Sequence, residues 1–209
     1  MSATSPVAII NRALIKVGGS PITSLGDGSI EAIVADANYD MVRDAVTTAY
    51  EWTHAIKRFG PMNPTGTNPP GRYSYEYTLP ADFLKMVFVS NDPNENFQLK
   101  EYAVESRKLL AKIGSGINII YIGRVTDTTK FMQLFTEAFV FRLAAEFAMP
   151  LAESNKLQLD LMDLYEQKVD EAAGVDGTQG INQQTIVTRT TRARWAGGVS
   201  GSGFNNVEM

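Results

Sequence analysis

The feature that most restricts the fold is a segment near residue 140 that is apolar almost all the way round a helix. Within residues 131–148, a seam at helical spacing is widened on both sides by further phenylalanine, alanine and valine side chains. A helix without a polar face has to be buried. We therefore expect a central helix over residues 129–149, with a seam formed by Phe131, Leu134, Ala138, Phe141, Ala145 and Ala148.

Three other segments have one apolar side and are suited to cover this central helix. A first-turn proline, Pro6, predicts a helix over residues 5–18, and the break expected at Pro150 is followed by a predicted helix over residues 154–173. The longest pattern predicts a helix over residues 30–58 that packs on the central one. Its heptad-like seam is Ala35, Tyr39, Val42, Val46, Ala49, Thr53 and Ile56.

The middle of the chain changes to the alternating period of β-strands. Tyr73, Tyr75 and Tyr77 alternate with polar residues, and further β-like runs follow as far as residue 122. Gly114-Ser115-Gly116 is interpreted as the last hairpin turn. The sequence therefore predicts an α+β fold: a four-helix bundle with a small antiparallel β insertion over residues 73–125 and an extended C-terminal arm.

The last part of the chain differs in composition from the rest. Residues 1–176 are expected to form the folded body, whereas residues 177–209 are rich in Gly, Ser, Thr, Asn and Gln and contain three arginines and one acid. Arginine and tryptophan are favoured at interfaces, so the arm is interpreted as a partner-binding segment. A disordered tail is the alternative that this composition leaves open. The candidate contact residues are Arg189, Arg192, Arg194 and Trp195.

Composition removes several classes of function. The chain has no cysteine, one histidine and a formal net charge of −4. His54 therefore has no second histidine for a triad or a metal pair, and we expect it to be structural. Gly26-Asp27-Gly28-Ser29 lacks the lysine of a phosphate-binding loop and is expected to be a helix-entry turn. We expect no cofactor, no metal and, from the absence of a leader pattern or long apolar run, no membrane association.

One enzymatic alternative stays open. Glu76 and Asp82 occur in the tyrosine-rich strand region, where paired carboxylates could hydrolyse a glycan stacked on the tyrosines. Alternating tyrosines are more often one packed face of a sheet. We expect that the chain is not an enzyme, and a glycan hydrolase using Glu76 and Asp82 is the alternative.

Five local motifs occur along the chain in a fixed order. They are Ile10-Asn11-Arg12-Ala13-Leu14 with Val17-Gly18, Ala49-Tyr50-Glu51-Trp52, Tyr77-Thr78-Leu79-Pro80-Ala81-Asp82-Phe83, Tyr121-Ile122-Gly123-Arg124-Val125-Thr126-Asp127, and Phe141-Arg142-Leu143-Ala144-Ala145-Glu146-Phe147-Ala148 before Pro150-Leu151. Together, in this order, they resemble the tail tubular protein A family, the head-to-tail adaptors of short-tailed bacteriophages. The resemblance covers about residues 5–176.

The resemblance implies a ring, expected to be dodecameric, between the portal of the phage head and the tail nozzle. DNA would pass through the lumen without specific binding, and no catalysis is implied. The location implied is the head-tail junction of the virion, with host cytoplasm during assembly. A free cytoplasmic binding module that forms no ring is a further alternative.

Overall fold

The computed structural model describes residues 5–95, 97–114 and 116–179. The chain divides into two units, Met1–Asp176 and Gly177–Met209. Its helices and strands are α1 (Pro6–Lys16), α2 (Ile30–Ala49), β1 (Ile56–Met62), β2 (Tyr75–Thr78), β3 (Phe83–Ser90), β4 (Tyr102–Glu105), β5 (Lys108–Ala111), β6 (Ile117–Gly123), α3 (Gln133–Ala152) and α4 (Asn155–Gln179).

The helix α3 is the centre of the helical layer, as its apolar composition requires. Phe135, Phe139 and Phe147 on α3 are fully buried, and α1 and α2 both pack against this helix. The α2 seam contacts α3 through Tyr39, whose ring centroid lies 5.2 Å from that of Phe139. The expected packing of α2 on α3 is confirmed, since the buried residues of the α2 seam are Ala35, Tyr39, Val42 and Val46.

The predicted helix over residues 30–58 is wrong beyond Ala49, because the chain turns there and residues 56–62 form β1. The Trp52 side chain folds back, and its indole Nε1 donates to the Val46 carbonyl at 2.8 Å. A helix end leaves carbonyls without intrahelical donors, and this bond satisfies one of them. Ile56 instead pairs with Ile122 of β6.

The strands form two antiparallel sheets of three strands each, with the orders β1-β6-β3 and β2-β5-β4. Gly114-Ser115-Gly116 therefore does not close a hairpin, since β5 and β6 belong to different sheets. The tight hairpin joins β4 to β5 through Ser106 and Arg107, both of which have positive φ angles. This is the backbone geometry of a two-residue turn that matches strand twist.

The strand β6 explains why the fold is not a four-helix bundle. Its alternate residues Ile117, Ile119 and Tyr121 belong to the core between the two sheets, whereas Ile122 belongs to the core of the helices. A strand covered on both faces is apolar along nearly its whole length. The observed architecture is a mixed α+β fold in which the sheets form layers of their own, and the expectation of a bundle with a small insertion is wrong.

Two predicted helix ends also differ from the structure. Pro150 lies inside α3, which continues to Ala152 and ends where Glu153 adopts a left-handed conformation with φ 50°. The helix α4 passes through Gly174 and extends to Gln179. In α4, Leu161 and Ala172 are buried in the helical core, and tertiary packing of this kind overrides the weak stop signal of Gly174.

Candidate interaction surfaces

The carboxylate of Asp82 is bound by side chains of two neighbouring strands and is not free. Its Oδ2 accepts from Lys57 Nζ of β1 at 2.5 Å, and its Oδ1 accepts from the Tyr121 hydroxyl of β6 at 3.0 Å. Burial raises the pKa of Asp82, but the hydrogen bonds from Lys57 and Tyr121 outweigh this and hold it below its ordinary value. Asp82 is therefore ionised and fixes β1, β6 and the start of β3 together.

Glu76 occupies a corresponding position in the second sheet. Its Oε1 accepts from Lys108 Nζ of the neighbouring strand β5 at 2.5 Å and from Thr65 Oγ1 at 3.2 Å. The bond from Lys108 is the main reason why the pKa of Glu76 is lowered. A glycosidase needs one carboxyl group with a raised pKa to act as general acid. The environments of Glu76 and Asp82 both shift the pKa in the opposite direction.

The other two candidates from the sequence, His54 and the loop of residues 26–29, make contacts typical of structural residues. The His54 ring lies between aromatic rings, with centroid distances of 4.7 Å to Phe135 and 5.7 Å to Phe131. In the loop before α2, the carboxylate of Asp27 accepts from the Ser29 hydroxyl and backbone N–H, and these two bonds lower the pKa of Asp27. Ser29 Oγ in turn caps α2 by accepting from Ala32 N at 3.2 Å. This loop is a helix-entry turn.

Two of the motifs that carry the resemblance contain residues whose contacts hold neighbouring parts of the fold together. Asn11 exchanges two hydrogen bonds with the backbone of Ile22, which fixes the loop after α1. Arg124 binds Asp44 of α2, and its backbone N–H donates to the Asp82 carbonyl at 2.7 Å. Packing thus accounts for these residues within this chain, and membership of the family stays a prediction.

The outer face of α2 is an exposed apolar surface. We call it the α2 stripe: Ile30, Ile33, Ala37, Met41 and Ala45. Ile30, Ile33 and Met41 are 69%, 62% and 62% exposed. The stripe lies on the side of α2 opposite its buried seam, because both sets repeat at helical spacing half a turn apart. Asp36 and Asp40 border it and are also exposed.

A groove of about 430 Å³ lies between α1, α3 and α4. We call it the basic groove. Its apolar lining consists of Val140 and Phe141 of α3 and of Ile15 of α1, which is 65% exposed. Its charged lining consists of Arg12, Lys16, Lys168 and Glu137.

The charges in the basic groove are only partly neutralised. Lys168 Nζ lies 3.4 Å from Glu137 Oε2 and 2.7 Å from Glu171 Oε2. The Gln133 amide, followed by Lys168 and then by the charge of Arg12, lowers the pKa of Glu137. Lys16 Nζ lies 4.1 Å from the centre of the Phe141 ring. Among the described residues, neither Arg12 nor Lys16 forms an ion pair, so the groove presents excess positive charge.

The predicted contact residues Arg189, Arg192, Arg194 and Trp195 lie outside the described residues. Within the described part of the chain, no cluster of three His, Asp or Glu side chains is arranged to hold a metal ion. The helices of that part include none with the length and apolar character needed to cross a membrane. Comparison of the sequence with family models and with curated proteins finds no match.

Neither exposed surface was identified from the sequence. The α2 stripe had a readable signal, because Ile30, Ile33, Ala37 and Met41 recur at spacings of three and four on the side opposite the seam. The basic groove had none, because it combines residues from three helices that are far apart in the chain.

Proposed function

We propose that this chain is a structural head-to-tail adaptor of a short-tailed bacteriophage, acting by assembly and not by chemistry. The observation that carries the proposal is the occurrence of the five motifs of the tail tubular protein A family in the same chain order. Copies form a ring, with twelve subunits as the family implies, between the portal and the tail nozzle at the head-tail junction. Subunits fold in the host cytoplasm before assembly.

The charge distribution supports this proposal. The acidic residues are concentrated in the body and the arginines of the C-terminal segment follow a stretch without acids. A negative wall suits a conduit through which DNA must pass without being retained. Exposed apolar residues on α2 and in the basic groove are the kind of surface that protein partners cover.

The arm is proposed as the portal anchor. Ordering a segment rich in Gly and Ser costs about 1 kcal/mol per residue in backbone entropy, so its partner must supply strong contacts. Arg189, Arg192, Arg194 and Trp195 are of the types that supply them when desolvated. Deleting residues 177–209, or changing Trp195 to Ala, is expected to leave the body folded while abolishing co-sedimentation with purified portal.

The truncation has two informative controls. The circular dichroism spectrum and melting temperature of the shortened chain establish that its body is folded. Raising the salt concentration separates portal docking from DNA binding, because DNA affinity falls by about one log unit per log of salt for each phosphate contacted. Unchanged affinity of the truncated chain for portal would disprove the arm as anchor.

The ring and the hydrolase alternative are tested separately. We expect the isolated protein to be largely monomeric at low micromolar concentration and to form its ring on the portal, a form of templated assembly. Native mass spectrometry of free protein and of the portal complex measures this. Turnover of peptidoglycan or α-glucan that is abolished by Glu76→Gln or Asp82→Asn would replace the adaptor proposal with an enzyme.

A further inference from the structure

The α2 stripe and the basic groove are two different surfaces of one subunit with complementary properties. The stripe is apolar and bordered by Asp36 and Asp40, and the groove is lined by apolar side chains together with Arg12 and Lys16. Asp40 is already paired with Arg43, whose Nη1 lies 2.6 Å from Asp40 Oδ1. Within the described residues, Asp36 forms no ion pair, and neither do Arg12 and Lys16. An apolar helix face that enters a groove is a common mode of recognition, and matched charges set its register.

We infer that the α2 stripe of one copy docks in the basic groove of a second copy of this chain. This contact deepens the proposed function and rests on it, since it names the two surfaces through which the ring closes. The contacting surfaces differ, so the interface is head-to-tail. Such a contact builds a ring or an open filament, whereas a two-fold dimer needs one self-complementary surface.

Charge decides against two other contacts, one made by the groove and one made by the stripe. The C-terminal segment 180–209 carries three arginines and one glutamate, so it would bring positive charge to a groove that already has an excess of it. A contact between the α2 stripes of two copies would place Asp36 of both copies at one interface, and like charges that face each other disfavour association.

Cysteine cross-linking tests the inference directly, because the natural chain contains no cysteine. Met41→Cys lies in the stripe and Ile15→Cys lies in the groove. Air oxidation of the double variant at high concentration is expected to give a ladder of dimers, trimers and larger species on non-reducing gels. A mixture of the two single variants, one carrying a size tag, is expected to give the mixed dimer as its main product.

A matched control uses Phe97→Cys, which replaces an apolar side chain that is 73% exposed in the sheet region. The pair Met41→Cys and Phe97→Cys has the same number of thiols and should give no ladder. Ladders of equal yield from both pairs, or Met41→Cys alone dimerising as well as the mixture, would overturn the head-to-tail interface.

Charge reversal supplies an independent readout in light scattering or sedimentation of concentrated protein. Asp36→Lys and Lys16→Glu should each weaken self-association about tenfold, and the double variant should recover most of it, because the opposite charges meet again with reversed sign. A double variant weaker than both single variants contradicts the inference. If the chain co-sediments with portal but the cysteine pair gives no ladder, this interface alone is wrong. If the natural chain does not bind portal at all, the proposed adaptor function is wrong.

Discussion

The helical layer and the two sheets differ in how their charged and apolar surface residues are paired or covered. In the sheets, carboxylates are paired with lysines of neighbouring strands, as Asp82 is with Lys57 and Glu76 with Lys108. In the helical layer, α2 exposes a row of large apolar residues, and the groove beside α1 has cations that form no ion pair within the described chain. The sheet region exposes apolar side chains as well, among them Phe97 and Phe59, but the two surfaces proposed above for docking, the α2 stripe and the basic groove, both belong to the helical layer.

This division predicts that the largest loss of stability comes from the junction between the layers. Trp52→Ala is expected to lower the free energy of unfolding by about 3–5 kcal/mol, since a fully buried aromatic side chain is removed. The indole is packed edge-on against Phe135 with a centroid distance of 5.1 Å. Urea denaturation followed by circular dichroism measures the loss.

Trp52→Phe is the control for the same site. It keeps most of the packing but removes the donor to the Val46 carbonyl, so a smaller loss of about 1–2 kcal/mol is expected. Equal losses in the two variants would show that the hydrogen bond, and not the packed volume, fixes the end of α2.

Strand β6 contributes side chains to both cores, so substitutions along it compare the stability of the two. Ile119 belongs to the core between the sheets and Ile122 to the core of the helices. Each change to Ala is expected to cost about 2–4 kcal/mol, in a single unfolding transition, because β6 connects both cores. The exposed Ile15→Ala is the reference and should change stability by less than about 0.5 kcal/mol. Two separate transitions in either variant would mean that the layers unfold independently.

The sequence was sufficient for the elements whose signal is local. The apolar circumference of α3 predicted its burial, and the seam of α2 predicted its packing, because helical spacing reports directly which side faces the core. Residues 53–56 continued that spacing by coincidence. What makes Ile56 a strand residue is its pairing with Ile122, which lies far along the chain, so no local pattern distinguishes the two outcomes.

For the candidate sites too, the sequence was sufficient only where the contacts are local in the chain. The alternation of Tyr75 and Tyr77 identified β2, but the partners of Glu76 and Asp82 come from strands β5, β1 and β6. A lysine that neutralises a carboxylate across a sheet cannot be assigned before the sheet order is known. The interpretation of Gly26 to Ser29 as a helix-entry turn succeeded because its bonds join residues two to four positions apart.

A smaller effect is expected from the ion pair of Asp82. The folded-state pKa lies below the ordinary value of 3.8, so the pair stabilises the protein above about pH 4 and this contribution is lost as the pH falls through the folded pKa. Asp82→Asn should cost about 1 kcal/mol at pH 7, a value reduced by solvent because Asp82 and Lys57 are 34% and 37% exposed. Urea titrations at pH 7 and pH 3 measure the difference, which should shrink at the lower pH. A difference that grows on acidification would contradict this assignment.

Effects no larger than that of Asp82→Asn are expected from two buried tyrosine hydroxyls, one in each layer. Tyr39 of α2 has a buried hydroxyl without a hydrogen-bond partner in the described part of the chain, and burial raises its pKa to about 12. The hydroxyl of Tyr77 in β2 donates to the Ile113 carbonyl. Removing an unpaired buried polar group relieves a desolvation cost, whereas removing a paired donor leaves a carbonyl unsatisfied. Tyr39→Phe should therefore leave stability unchanged or raise it by up to about 1 kcal/mol, and Tyr77→Phe should lower it by about 1 kcal/mol. Thermal and urea unfolding of both variants give the comparison. Destabilisation by Tyr39→Phe as large as that by Tyr77→Phe would mean that the Tyr39 hydroxyl has a partner in solution, and α2 would then be anchored to the helical core by more than its apolar seam.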